Sequence, residues 1–139
     1  MINQSFNDKR DNPSPGLILT LLPVHLAVCR LDPEDPLPSW PRGELIALTR
    51  TADELSIVCA EECVPSGIQI EAGWRALKVA GPLDFSLTGI LAAIASPLAA
   101  AEISIFALST YDTDYVLVKE AHLAAAVRIL SLAGHTIVE

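Results

Sequence analysis

Two stretches of this chain carry residues whose type and spacing suit chemistry. The first is Ser109-Thr110-Tyr111-Asp112-Thr113-Asp114, a dense set of short oxygen-bearing side chains between two apolar runs. Asp and Ser hydrogen-bond nearby backbone and so suit a turn; the same carboxylates and hydroxyls suit a pocket that grips an ammonium or guanidinium group. The second is the segment Pro82 to Ile90, where Asp84 and Ser86 are N-cap candidates for a helix whose apolar positions begin at Leu87. A helix start offers unpaired N–H groups and a positive dipole end, suited to a carboxylate. Gly89 permits close approach to the backbone. On local sequence alone an ordinary turn and an ordinary capped helix are the favoured accounts of the two stretches, and what shifts that balance comes from the rest of the chain.

Other polar residues offer less. Cys59 and Cys63 are four apart with no second ligand pair nearby, which argues against a structural metal site. His25, His122 and His135 are scattered, without a Ser or Cys partner implied by spacing. There is no Gly-rich phosphate loop, nucleophile elbow or HExxH motif, so no acid, base and nucleophile set is visible and no enzyme is expected. No cofactor is implied. Trp40 and Trp74 are expected as core anchors.

At 139 residues, with 51% hydrophobic and 19% charged content, the chain holds one domain or two very small ones. No window approaches the length of a membrane span. The first sixteen residues are polar, lack an apolar h-region and end in Pro-Ser-Pro-Gly, which predicts a flexible arm over 1–16 and no secretory signal. Three cysteines without scaffold spacing make a reducing, cytoplasmic compartment the expectation. A net charge of −8 argues against nucleic acid as a partner.

The elements that position the two stretches follow from periodicity. Strands are expected at Leu17–Leu22, His25–Leu31, Glu44–Arg50 and Leu55–Ala60, then a brief one at Ile68–Ile70 and another from Gly73 to Gly81. Four prolines between Asp32 and Pro41 exclude a long helix there. Leu87, Ile90, Leu91, Ile94 and Leu98 recur at helical spacing, with Pro97 placed to kink or end that helix late. Strands over Ile103–Leu108 and Tyr115–Val118 flank the polar turn. Glu120–Ala133 is a second amphipathic helix with Leu123, Val127 and Leu130 on its buried stripe, and His135–Glu139 a last strand. The second half is thus βαββαβ, a ferredoxin-like unit in the α+β class.

Shifted by sixty residues, the halves align: Leu45–Thr49 falls on Ile105–Ser109, Leu55–Val58 on Tyr115–Val118, Glu61 on Ala121, and Leu17 and Leu19 on Leu77 and Val79. The first half carries the same strands with Pro-rich turns where helices would be. Trp74 to Val79, Gly81-Pro82-Leu83-Asp84-Phe85-Ser86-Leu87-Thr88-Gly89, Ser96 to Ala99 and Ile103 to Val118 together resemble an ACT domain. The chain is most similar to tandem-ACT proteins related to the aspartate-kinase regulatory region and to CASTOR-type arginine sensors.

That resemblance implies two ACT modules in tandem, 17–72 with reduced helices and 73–139, whose homodimer would rebuild a four-module arrangement. It implies a regulatory amino-acid sensor with its ligand between modules, the polar strand end of one facing the helix start of its neighbour. On this reading the ligand-binding residues are Asp84, Ser86, Leu87, Thr88, Gly89 and Ile90 with Ser109, Thr110, Tyr111, Asp112 and Asp114. The competing expectation is a ligand-free module that docks a regulatory protein partner. Glu102 stands where such proteins often have Gly, and Asp112 where the sensors can carry an uncharged residue.

Overall fold

A single long strand organises the molecule. In the computed structural model, which describes residues 16–82 and 88–139, β5 runs from Gln69 to Val79 and pairs on both edges. One edge carries β1 (Ile18–Leu21) and then β2 (Leu26–Leu31), both antiparallel to it, with Leu19 opposite Val79 and Leu26 opposite Trp74. The other edge carries β7 (Asp114–Lys119), followed by β6 (Phe106–Ser109). Strands β3 (Ala47–Arg50) and β4 (Leu55–Ala60) extend the sheet beyond β2, and β8 (Thr136–Val138) lies parallel to β1. All eight strands form one mixed sheet.

Two helices cover one face of the second half. Helix α1 (Ile90–Ala100) buries Ile94 and Leu98, and α2 (Leu123–Leu132) buries Ala126 and Leu130. They close over Leu19, Leu77, Val79, Val116 and Val118, the alternate residues that period-two geometry aims at one face. The opposite face gathers Leu26, Val58, Trp74, Ala76 and Leu117. A third core, around Leu55, Ile57 and Cys59, lies under the Pro-rich segment through Trp40. Arg50 ties that segment down, donating to the carbonyls of Pro33 and Asp35.

Several sequence expectations need correction. The strands expected at 68–70 and 73–81 are one strand, because Gly73 is a bulge residue and not a break. Leu26 faces Trp74 while Val28 faces Glu71, so β5 spends one extra residue. Gly73 takes φ 79°, a left-handed value that glycine adopts without strain. Both backbone groups freed there find side chains: Gly73 N–H donates to Glu61 Oε1 at 2.6 Å, and Lys119 Nζ donates to the Ala72 carbonyl at 2.6 Å.

The helix expected from Leu87 with an Asp84 or Ser86 cap starts instead at Ile90, with Gly89 as its N-cap. Asp84, Ser86 and Leu87 lie outside the described residues, as do residues 1–15 of the expected arm. Pro97 sits inside α1, which runs one further turn to Ala100. The helix expected over 120–133 opens as a 3-10 turn at Glu120–His122, and Val127 is half-buried where Ala126 is fully buried. Ile103 packs into the core ahead of β6 rather than within it.

The sixty-residue alignment of the halves slips by one residue where their hairpins are compared. Arg50 faces Leu55 across one hairpin and Ser109 faces Asp114 across the other, and Glu61 and Glu120 each open a 3-10 turn, a shift of fifty-nine residues and not sixty. Glu61 therefore corresponds to Glu120. Leu19 and Val79, matched by the sixty-residue shift, are cross-strand partners instead of equivalents. The counterpart of the end of β5 is β2, whose half of the sheet runs β5-β2-β4-β3. The other half runs β8-β5-β7-β6 with β1 inserted between β8 and β5.

Candidate functional site

The end of the sheet where β5 finishes collects the polar turn, the start of α1 and the start of β8. The turn is tightly determined. Thr110 N–H donates to the Thr113 carbonyl at 2.8 Å, and Thr113 N–H donates to Thr110 Oγ1 at 3.3 Å. Ser109 Oγ donates to Asp114 Oδ1 at 2.6 Å, a cross-strand pair that closes the hairpin. Thr113, only 4% exposed, donates its hydroxyl to the Val79 carbonyl at 2.7 Å. The turn is thereby tied to the last residue of β5.

This divides the predicted residues. Ser109, Thr110 and Asp114 spend hydrogen-bonding capacity within the hairpin, so they shape the turn. Asp112 and Tyr111 stand exposed at its tip, Tyr111 at 81%. Thr113 was missed by sequence reasoning. Strand alternation gives no signal of its burial, since Thr113 precedes β7 and is out of phase with the buried Val116 and Val118.

Thr88 and Gly89 are exposed and Ile90 is half-buried against the helix-covered core. Gly89 takes φ 78°, and its carbonyl accepts Ala93 N–H at 2.9 Å to begin α1. A Cβ added at Gly89 would meet nothing within 4 Å, so the position is open toward solvent. Gly89, Ala93, Pro97 and His135 line a cleft of about 460 Å3 beside this helix start. In it His135 is buried, its Nδ1 accepting Leu17 N–H at 3.1 Å and its Nε2 facing the Ala93 carbonyl at 3.0 Å. Accepting at Nδ1 and donating at Nε2 defines a neutral imidazole.

The described residues at this end offer groups suited to binding. An exposed carboxylate on a braced turn suits a cation, and a helix start suits an anion. Elsewhere, the cysteines cluster at the third core. Burial pushes the Cys59 thiol up to about 12 and raises that of Cys29, so both stay protonated near neutrality. Among the described residues no group of three His, Cys, Asp or Glu side chains is arranged to hold a metal ion. No helix among them is long and apolar enough to cross a membrane.

The chain is similar to known proteins over most of its length. The family model for the ACT domain matches residues 69–131, which span β5 through α2, and a second model describing an N-terminal domain matches residues 25–67. The human protein named cytosolic arginine sensor for mTORC1 subunit 1 is 32% identical over 127 residues, covering 84% of this chain and 38% of the sensor. The chain thus spans well under half the length of that curated relative. A solved Agrobacterium tumefaciens protein is 36% identical with a TM-score of 0.85, covering 90% of this chain and 94% of its own. The regulatory subunit of aspartate kinase from Thermus thermophilus, 12% identical, shares the fold with a TM-score of 0.58 over 80% of this chain and 93% of its own. Residues 69–131 belong to the ACT-domain family, in a chain similar in sequence to the cytosolic arginine sensor and in fold to the regulatory subunit of aspartate kinase.

Proposed function

We propose that this chain is an amino-acid-binding regulatory protein without catalytic activity, built as two ferredoxin-like ACT modules (17–72 and 73–139) that share β5. The strand orders of the two halves support the tandem reading, because each sets its four strands in the same order, interrupted in the second half by β1. The observation that carries the function is the braced turn: Thr113 and Ser109 hold the hairpin so that Asp112 projects at the sheet end where Gly89 opens α1. An α-amino acid is a short dipole. Its ammonium, or a side-chain guanidinium, would meet Asp112, and its carboxylate would meet the Gly89–Ile90 helix start of a neighbouring module.

The neighbouring module comes from a second copy in this reading. The sheet face opposite the helices leaves Ile18 53% and Val138 40% exposed, which favours a homodimer. Ligand bridging two modules favours one placement of them by its differential affinity for the two states, and no more. Arginine is the first ligand to test, since the relatives are named as arginine sensors. A thermal-shift panel of the twenty amino acids, followed by calorimetry, tests the reading; no stabilisation by any of them would overturn it. The same apolar face supports a second reading, a ligand-free module that docks a protein, and a flat amino-acid panel would favour it.

A further inference from the structure

The three cysteines meet beneath the loops of the first half, far along the sheet from the polar turn. Cys29 on β2 and Cys59 on β4 are buried beside Leu55 and Ile57, and Cys63, half-buried, closes the 3-10 turn that follows β4. The sulfurs of Cys59 and Cys63 lie 3.6 Å apart. A disulfide needs about 2.05 Å, so the two sulfurs have about 1.5 Å to close. Cys63 Sγ also receives the backbone N–H of Arg42 at 3.3 Å and donates to the Ala60 carbonyl at 2.9 Å.

We propose that Cys59 and Cys63 are a modification site, forming a reversible intramolecular disulfide in which Cys63 is oxidised first by a hydroperoxide. The Cys63 thiolate attacks one peroxide oxygen, the O–O bond breaks, and the sulfur becomes a sulfenic acid while the departing oxygen leaves as an alcohol or water after taking a proton. The Cys59 sulfur then attacks the Cys63 sulfur. The S–S bond forms, the S–O bond breaks, and the hydroxyl leaves as water with the Cys59 proton. One peroxide is reduced by two electrons and two thiols are oxidised.

Burial sets the division of labour. Cys59 is fully shielded and stays protonated, so it waits as the resolving thiol, whereas Cys63 reaches the surface. Cys29 faces Ile57 and Cys59 faces Ala27 across the ladder, so those two thiols touch as diagonal neighbours, both buried, and Cys63 alone of the three is partly exposed. The modification has a structural target. Cys63 Sγ and the Ala60 N–H, which donates to the Arg42 carbonyl at 2.8 Å, together hold the Pro-rich strap over the third core. Turning Cys63 toward Cys59 withdraws the acceptor from Arg42 and loosens the strap.

The test treats the full chain with hydrogen peroxide, then denatures it, alkylates it and digests it with trypsin. The fragment between Arg50 and Arg75 holds both Cys59 and Cys63, and the fragment ending at Arg30 holds Cys29. The expected result is an unalkylated fragment lighter by two hydrogens, reversed by a dithiol reductant, with Cys29 alkylated. Cys29→Ser should give the same product, and Cys59→Ser should leave a Cys63 sulfenic acid that dimedone captures. If Cys59→Ser does not fold, the parent map decides alone. Alkylation of all three thiols under peroxide that oxidises a small thiol, or a disulfide containing Cys29, overturns the proposal.

Discussion

His135 supplies to Ala93 the hydrogen bond that the α1 helix cannot. The Ala93 carbonyl would accept from the N–H four residues on, but that residue is Pro97 and has none; His135 Nε2 stands 3.0 Å away in its place. With Nδ1 accepting Leu17 N–H, one imidazole joins α1, β8 and the approach to β1. His135→Phe should therefore cost about 1–3 kcal/mol in chemical denaturation for each backbone group left buried without a partner. His135→Gln, which can donate and accept, should recover part of it.

The same geometry predicts coupling. In a Pro97→Ala background residue 97 regains its N–H, so the Ala93 carbonyl no longer depends on His135. A double-mutant cycle should show the His135→Phe cost falling by roughly 1 kcal/mol in that background. Strict additivity would refute the relationship.

Gly73→Ala should destabilise the chain by about 1 kcal/mol through backbone strain alone, since a Cβ there meets nothing within 4 Å yet φ is +79°. Gly73→Asn, better tolerated at that angle, should cost less. Equal costs in urea denaturation would point to another cause.

At the turn, Asp112→Ala should weaken amino-acid binding by roughly 1.5–3 kcal/mol, the scale of one charge-assisted hydrogen bond, with the melting temperature unchanged. Asp114→Ala should do the reverse, lowering stability through loss of the Ser109 bond. Gly89→Val confounds bulk with strain at φ 78°, so Gly89→Asn is the cleaner block. Calorimetry and thermal melts on each variant separate the two roles.

Alkali offers a test of the third core. Burial raises the Cys59 thiol from 9.0 to about 12, so the fold favours the neutral form. That contribution is complete below pH 9 and is lost as pH rises through 12. Cys59→Ala should flatten the decline in stability over that window relative to the parent, and parallel curves would count against it.

What the sequence disclosed depended on whether the deciding partner was local. Leu55–Ala60 announces its strand through its own apolar run, and the polar hairpin turn through its own Ser, Thr and Asp. Gly73 looked like a break because the groups that satisfy its bulge, Glu61 and Lys119, are distant in the chain. Thr113 was overlooked for the same reason, its hydroxyl being spent on Val79. The helix start was placed too early because Asp84 and Ser86 are better capping types than Gly89, and a left-handed cap leaves no side chain to notice. The repeat slipped to sixty because Leu-Ile-Ala-Leu-Thr resembles Ile-Phe-Ala-Leu-Ser in side chains, whereas the hairpins are matched by backbone turns. Of the candidate site, the turn was legible; Asp84, Ser86 and Leu87 lie outside the described residues.

The bulge at Gly73 also has a parity. Trp74 and Glu71 face Leu26 and Val28 on one side of β2, although three positions separate them where plain alternation allows only even spacing. Removing a single codon at 72 or 73 would restore even counting, erasing the bulge while Gln69 to Glu71 kept their face against β2 and β1 and β7 kept their phase. Removing two would leave Trp74 and Glu71 adjacent and turn Gln69 to Glu71 inside out. Natural length variation at this point of the chain should therefore come as one residue and not as two, a signature readable from homologous genes without any structure.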